Sequence, residues 1–356
     1  MNQWRPEDNI SQTETDVEAL GRMPAWSSER ERHTVNLGHR QSLNANARLM
    51  WRGEQGKSLI LMPFMVYSEF SSQGRVDLSE NKTIGGVAQP MVTDSAQTGN
   101  NNRFVMTRLN GQWSQRFSAD TRFEFKFGLG ESHYKSQFNQ MALGGGSLLN
   151  TLEESQSFKD LSQTWNGKLT QVLSNGHQLV SGAELERVRR NEDAVAEVSD
   201  DAGNLRARTS RWAIYTQDEW SINPNWSAHA GLRYESILTE GSNDEGEKRN
   251  KSGVLTPLLH AVWKPVPQSK DQVRMSLTRS YKTPTLFNLV ARTALSRETN
   301  SPTRPDRIGN PGLKPELATG IDIAFERYLA EGGVLSANVF RRNISDLIRY
   351  VTSERY

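Results

Sequence analysis

The residue types that most often carry catalysis or bind metals are few in this sequence and widely spaced. Its six histidines are His33, His39, His133, His177, His229 and His260. They form no H-E-x-x-H pair or comparable zinc-site spacing, and isolated histidines on strands are usually structural or solvated. The run GGGS at 144–147 lies in a polar stretch with no helix after it, so it does not predict a phosphate-binding loop.

Other kinds of active site are equally unsupported. The sequence has no cysteine, which excludes disulfides, thiolate metal sites and a cysteine nucleophile. No Ser/His/Asp set can be assembled from the spacing of these residues. We therefore predict that the protein is not an enzyme and has no catalytic residue, metal site or cofactor. The sequence assigns no ligand-binding residue.

The composition limits both the fold and the partners. The 356 residues carry 43 Lys and Arg against 41 Asp and Glu, and this net charge of +2 gives no reason to expect a nucleic-acid partner. Only 35% of the residues are hydrophobic, which argues against one thick, dry core. The longest apolar run, 59–67, contains Pro63 and is far shorter than the roughly 20 residues of a membrane helix. Residues 1–30 lack the basic start and apolar stretch of a signal peptide, which indicates a cytoplasmic protein or an internal piece of a longer one.

Most of the chain alternates apolar and polar residues with period two, the pattern of half-buried strands. Phe123, Phe125 and Phe127, for example, alternate with Glu124 and Lys126. No convincing amphipathic helix is found. We predict about twelve strands, at 43–51, 57–70, 103–115, 122–130, 163–173, 178–188, 210–220, 226–237, 253–264, 271–281, 317–328 and 334–349.

The connections between these strands alternate strictly in length. Short turns are predicted at 53–57, 117–120, 174–177, 222–225, 264–270 and 329–333. Long polar loops are predicted at 71–101, 136–160, 191–208, 239–252 and 283–315, and residues 1–32 form a further polar, loop-like segment. This asymmetry is typical of transmembrane β-barrels, which have short periplasmic turns and long extracellular loops.

Tryptophans and charges support a membrane barrel. Trp51, Trp220, Trp226 and Trp263 lie beside short turns, and Trp113 is close to another, as in the aromatic girdle of a membrane barrel. One strand face is apolar and is expected to contact lipid. The other carries charges of both signs, which predicts a lumen filled by another polar body: Arg48, Arg108, Arg122, Glu124, Lys126, Lys168, Glu184, Arg233, Glu235, Arg274, Asp322 and Glu326.

Four segments resemble one family. NPGLKPELATGIDIAFE (310–326) and SLTRSYKTPTLFNL (276–289) resemble barrel segments of TonB-dependent outer-membrane receptors. AIYTQDEWSINPNWSAHAGLRYE (213–235) resembles the Y-x-Q-D-E-W hairpin of that family, and NVFRRNISDLIRY (338–350) resembles its N-x-F-x-x-x-I-x-D-L-I strand. The segments occur in family order, whereas residues 1–210 match only in pattern. Pro311, Gly312 and Pro315 are expected to set the direction of the chain before strand pairing begins at Glu316.

The resemblance implies an all-β fold, an antiparallel up-and-down transmembrane β-barrel. Residues 1–356 are then a partial barrel domain, with about twelve strands of a family-typical barrel of about 22. The plug domain, the TonB box and the C-terminal strands are expected to lie outside this chain. The resemblance further implies uptake of a scarce ligand, most often a ferric siderophore, across the outer membrane of a Gram-negative bacterium. The implied partners are outer-membrane lipid, the TonB complex acting through the plug, and the ligand.

Two other classes remain open from the residues alone. A non-plugged outer-membrane porin would share the turn asymmetry and the tryptophan girdle without needing the resemblance at 276–326. A soluble all-β binding protein would share the alternation, but its long loops should lie at both ends of the sheet.

Overall fold

The computed structural model describes residues 2–4, 7–20, 23–144, 147–196, 203–243, 246–289, 305–329 and 332–353. Nearly all of them lie in strands. The strands are β1 (Asn2–Trp4), β2 (Glu7–Leu20), β3 (Met23–Asn46), β4 (Leu49–Arg52), β5 (Ser58–Ile84), β6 (Val87–Ala88), β7 (Val92–Arg116), β8 (Thr121–Gly144), β9 (Ser147–Val172), β10 (His177–Ala196), β11 (Gly203–Asn223), β12 (Trp226–Asn243), β13 (Gly246–Trp263), β14 (Gln272–Lys282), β15 (Glu316–Tyr328) and β16 (Val334–Ser345). One short helix, α1, spans Leu286–Leu289. Within the described ranges, no helical segment has the length and hydropathy needed to span a bilayer.

The strands form one sheet in which neighbours along the chain pair antiparallel. Its sixteen strands occupy thirteen successive positions. Three strands share a position with another strand: β2 pairs with β3 as β1 does, β4 pairs with β5 as β3 does, and β6 pairs with β5 as β7 does. This confirms the up-and-down topology and agrees with the prediction of about twelve strands. Among the described residues, β16 and the β1–β2 edge do not pair with each other, so the sheet is open at both edges.

The ladder registers settle which residues share a face. Phe125 is opposite Trp113 on β7 and Gly167 on β9, and successive registers place Phe125 and Leu277 on one face and Lys126 and Arg274 on the other. We call the face of Phe125 the outer face and the face of Lys126 the inner face. Where β11 and α1 meet, part of the inner face is buried, because Leu286 packs against Leu205 and Ala207.

The outer face has an apolar band at the short-turn end of the sheet. On β8 the band runs from Phe123 to Leu129, and the next two outer residues are Glu131 and His133. On β12 it runs from Trp226 to Tyr234. The strands continue well past this band: β5 alone has 27 residues, against the roughly 9–11 that cross a bilayer.

The long connections differ from the sequence prediction. Most of the segments expected as loops are paired strands that form long hairpins. The strands β5 to β9, β12 and β13 contain nearly all described residues of 71–101, 136–160 and 239–252. The described parts of 191–208 belong to β10 and β11. Residues 2–4 and 7–20, within the segment expected to be loop-like, also pair with β3. The physical reason is that beyond the apolar band both faces meet water, so pairing continues without the alternation that reveals strands in the sequence.

The connection from β14 to β15 does depart from the sheet. Its described parts are 283–289, which include α1, and 305–315. The second part crosses the inner face, where the Asn250 amide donates to the carbonyls of Pro311 (2.8 Å) and Leu313 (2.9 Å). The backbone N–H of Gly312 donates to the Asn310 side chain at 2.8 Å, which tightens the bend. Strand pairing resumes at Glu316, as predicted.

Candidate functional site

The inner face collects the charges that the sequence assigned to one side of the sheet. By register, eleven of the twelve predicted lumen residues lie on this face: Arg108, Arg122, Glu124, Lys126, Lys168, Glu184, Arg233, Glu235, Arg274, Asp322 and Glu326. The twelfth, Arg48, falls between β3 and β4 and belongs to neither strand. The prediction of a charged inner face is therefore confirmed.

The most buried of these charges is Glu235 on β12, whose side chain is only 3% exposed. It accepts hydrogen bonds from Arg211 (3.2 Å), Arg233 and the hydroxyl of Tyr281. Removing a carboxylate from water is costly, and these three donors offset that cost. The buried position of Glu235 thus depends on three strands, β11, β12 and β14.

The two arginines extend this cluster to β10. Arg211 also contacts Glu186 at 2.6 Å, and Arg233 contacts Glu184 at 2.5 Å. Planar guanidinium groups can bridge two carboxylates in this way because each presents several N–H donors. We call Glu184, Glu186, Arg211, Arg233, Glu235 and Tyr281 the lumen ion network.

Smaller ion pairs continue along the inner face on both sides of this network. Glu124 contacts Arg122 (2.7 Å) and Lys168 (3.2 Å). Asp322 accepts from Arg342 (2.8 Å) and Ser276 (3.0 Å). The inner wall is therefore polar over many strands, yet its charges are largely matched.

A separate cavity of about 390 Å³ lies on the inner face, beyond the level of the apolar band. Its volume is within the range of small-molecule sites. Among the described residues that line it, none is acidic and one, Arg32, is cationic. The lining consists of Arg32, Thr34, Asn36, Gly38, Phe70, Ser72, Val76, Leu78, Ala96, Thr98, Asn100, Phe138 and Gln140. All of these are inner-face residues of β3, β5, β7 and β8.

The floor of this cavity depends on a residue without a side chain. A Cβ built on Gly74 would lie 2.0 Å from the amide oxygen of Asn36 and 2.8 Å from the hydroxyl oxygen of Thr98. Gly74 therefore allows the Asn36 amide to lie across β5. At the edge of the cavity, the Arg40 guanidinium lies 5.5 Å from the centre of the Phe70 ring, which is cation–π distance.

The histidines considered first do not converge on one site. His133 contacts Glu131 at 2.5 Å, and His177 contacts Asp218 at 2.7 Å while stacking on Trp220. Within the described part of the chain, no three His, Cys, Asp or Glu residues are grouped to hold a metal. The GGGS run lies partly outside the described residues, and ELERVRRNED lies on β10.

Two outer-face carboxyls just beyond the apolar band have perturbed acidity. Hydrogen bonds from Lys159 and then His133 hold the pKa of the Glu131 carboxyl below its usual value. Hydrogen bonds from the Tyr67 hydroxyl and Arg103 lower the pKa of Glu69 in the same way. Both carboxylates are thus charged where the strands leave the band.

Aromatic side chains mark the two edges of the apolar band. At the short-turn edge, the Trp226 and Trp263 rings stack with centres 6.0 Å apart. At the other edge, Trp212 and Tyr234 lie 5.5 Å apart. Such paired girdles are typical of the two interfaces of a membrane barrel.

Sequence comparison agrees with this geometry. The model of the family described as TonB dependent receptor-like, beta-barrel matches residues 62–356. The chain belongs to this family. As a TonB-dependent receptor barrel it is an outer-membrane protein, its inner face is the wall of the lumen and the apolar band of its outer face contacts lipid. The match also covers residues 62–210, whose resemblance to the family was limited to the strand pattern.

Several solved structures are similar to this chain at low sequence identity. The copper transporter OprC has a TM-score of 0.52 and 9% identity, over 97% of this chain and 54% of OprC. The ferric-catecholate import receptor Fiu of E. coli K12 has a TM-score of 0.49 and 12% identity, over 94% of this chain and 58% of Fiu. BauA, the ferric preacinetobactin receptor of Acinetobacter baumannii, has a TM-score of 0.49 and 10% identity, over 95% of this chain and 54% of BauA.

The chain thus spans 54–58% of the length of these three structures. The comparison with curated proteins found no match.

Proposed function

We propose that this receptor barrel takes up a scarce ligand across the outer membrane, driven by TonB, and that the ligand is a ferric siderophore. Family membership supports the TonB-dependent receptor class. The plug domain and the TonB contact are assigned to parts outside this chain. The observation that supports a bound ligand is the cavity on the inner face, above the apolar band.

The lining of the cavity fits an anionic chelate that has aromatic parts. Phe70 and Phe138 offer ring faces, Arg32 offers a cation, and the amides and hydroxyls of the lining offer hydrogen bonds. A ferric complex of an aromatic siderophore presents charged oxygens and flat rings, which such a lining would bind. The cavity is open on the lumen side, so a ligand held here would lie on the route through the barrel.

The lumen ion network is assigned a different role, as the wall against which the plug rests. Its two guanidinium groups pair with its three carboxylates and leave a net charge of only −1, so the wall presents polar groups without a strong net field. A polar domain could dock against it and leave without exposing unpaired buried charges. This assignment is consistent with the expectation that a polar body fills the lumen.

Iron-restricted growth tests the proposed function. A strain that lacks the gene should lose growth on one ferric siderophore of a panel, and the intact gene should restore it only in a tonB⁺ background. Uptake of labelled iron and of labelled copper should be measured together, because a copper transporter shares this fold. Copper uptake without iron uptake would refute the siderophore assignment, and TonB-independent uptake would refute the receptor mechanism.

The cavity has its own test with a matched control on the same strand. Arg32→Gln removes the one cation among the lining residues, and His33→Gln changes the adjacent outer-face residue. We expect Arg32→Gln to weaken siderophore binding about tenfold, as expected for the loss of a charge-assisted hydrogen bond. His33→Gln should leave binding unchanged. Equal binding by both variants would place the ligand elsewhere.

A further inference from the structure

The outer face of β10, β11 and β13 carries a dense group of cations beyond the apolar band. Four consecutive strands align Arg189, Arg208, Glu240 and Arg249 in one cross-strand row. The neighbouring rows contribute Arg187 and Lys251 on one side and Arg206 on the other. We call the six cations the outer basic cluster: Arg187, Arg189, Arg206, Arg208, Arg249 and Lys251.

The cluster is not neutralised by the chain. In the three rows, its six cations face two carboxylates, Glu240 and Glu247, which leaves a net charge of +4. Glu240 is shared between Arg208 at 2.6 Å and Arg249 at 3.7 Å. Asp193 stands further out, opposite Asn204.

Four of the cations have no ion pair within the described ranges. They are Arg187, Arg189, Arg206 and Lys251, all exposed. Arg189 is directly opposite Arg208 across the β10–β11 ladder. Like charges in directly opposed positions of a sheet are unfavourable, since their Cβ atoms are only about 5 Å apart. An anion from outside the chain would remove this repulsion.

Two cations elsewhere on the outer face have carboxylate partners. On β5 and β7, Arg103 contacts Glu69 at 3.1 Å, and on β8 and β9, Lys159 contacts Glu131 at 2.6 Å. These cations have carboxylate partners on the adjacent strand. Arg103 and Lys159 thus differ from Arg187, Arg189 and Arg206, which have no carboxylate partner within the described ranges.

The position of the cluster relative to the apolar band indicates which anion lies beside it. The last apolar residues beneath it are Leu185 on β10, Trp212 on β11, Tyr234 on β12 and Leu255 on β13. Trp212 and Tyr234 form the girdle at this edge of the band. Aromatic girdles lie at the headgroup level, so the cations lie where lipid phosphates are concentrated.

We propose that the outer basic cluster is a binding site for the phosphate groups of a phosphorylated lipid headgroup, with the acyl chains lying on the apolar band below. Arginine forks suit phosphate oxygens because they donate two parallel hydrogen bonds. Free phosphate has the same headgroup chemistry but no acyl chains to use the adjacent apolar surface. This site is independent of the proposed uptake function, since it rests only on the outer face.

Native mass spectrometry tests the site on the detergent-solubilised receptor, expressed as its gene encodes it. The probes are bis-phosphorylated lipid A, monophosphorylated lipid A and phosphatidylethanolamine. Arg187→Gln/Arg189→Gln removes two cations without breaking any ion pair. Arg75→Gln/Lys135→Gln, which also removes two outer-face cations, on β5 and β8, serves as the control, although it breaks the contact of Arg75 with Asp77 (2.9 Å).

We expect the receptor to bind bis-phosphorylated lipid A most tightly, and Arg187→Gln/Arg189→Gln to weaken that binding about tenfold. The control variant should bind as the unchanged protein does. Arg187→Lys/Arg189→Lys, which keeps the charge, should retain most of the binding and shows that loss is not a folding defect.

Three results would overturn the proposal. The first is equal lipid A binding by the unchanged protein and Arg187→Gln/Arg189→Gln. The second is an equal loss in the control variant, which would indicate attraction by overall charge. The third is displacement of lipid A by millimolar inorganic phosphate, which would make the cluster a site for free phosphate.

Discussion

Glu235 and Glu69 are both paired glutamates, but their surroundings differ. Glu235 is 3% exposed and bonded to three donors, whereas the Glu69 side chain is 43% exposed and meets Arg103 at the surface. An ion pair in water contributes little, because solvent screens it and its side chains lose freedom. A buried pair is costly to form and more costly to break, since the remaining partners keep unpaired charges.

Replacing these two residues should therefore have unequal effects. Glu235→Ala leaves Arg211, Arg233 and Tyr281 without their shared acceptor, and we expect unfolding to become easier by about 3–5 kcal/mol. Glu69→Ala should change stability by less than about 1 kcal/mol. Denaturant unfolding of the receptor in lipid vesicles measures both. Similar values for the two variants would show that the lumen ion network is solvated.

Phe125 and Lys126 provide a second comparison, since adjacent strand residues point to opposite faces. Phe125 packs on the outer face against Trp165, with ring centres 6.0 Å apart. Phe125→Arg should cost roughly 2–4 kcal/mol in a bilayer if the site is near its middle, whereas Lys126→Gln should cost little. The same unfolding measurement applies, and equal tolerance of the two changes would contradict the assigned faces.

At the scale of strands, the sequence predicts faces well and strand ends poorly. Within the apolar band, the lipid requires alternation, so Phe123, Phe125 and Phe127 reveal β8 directly. Beyond the band no such requirement exists, and residues 71–101 appear as a polar loop. One signal there was available: Gly85 and Gly86 have φ of 57° and 81° and connect β5 to β6, as a two-residue Gly-Gly turn is expected to do.

The cavity and the lumen ion network were beyond prediction for a related reason. The cavity joins residues as distant as Arg32 and Gln140, which only the registers of β3, β5, β7 and β8 bring together. In the same way, Tyr281 reaches Glu235 across strands that are not neighbours in the sheet. The sequence does contain the polarity of the inner face, but not which of its residues meet.

The long hairpins lead to a prediction about orientation. If the short turns face the periplasm, protease added to intact cells should cut at the exposed tip around 85–91 and spare the turn at 222–225. Cutting at the tip is expected despite the strand pairing, because the tip residues are exposed and few contacts hold them. Permeabilised cells serve as the control, in which 222–225 becomes accessible. Cleavage of intact cells at the short turns alone would reverse the orientation.

At the scale of the molecule, the described sheet has two free edges, β16 on one side and β1–β2 on the other. Each edge is a row of backbone donors and acceptors that lipid cannot hydrate. Closing these strands into a smaller barrel would satisfy the edges, but it would narrow the lumen around the inner-face charges. Without a polar body in the lumen, groups such as Lys126 and Glu326 would be crowded together at a cost of several kcal/mol for each unpaired charge.

We therefore predict that these 356 residues, produced alone, form neither a closed barrel nor a stable pore. Refolding in detergent should give aggregates or an open sheet, without the compact, heat-modifiable band that closed barrels show on gels. Planar-bilayer recordings should show no steady conductance, and the receptor expressed as its gene encodes it is the positive control for heat modifiability. A compact, heat-modifiable species with steady conductance would mean that the strands close by themselves, and the porin alternative would then replace the receptor assignment.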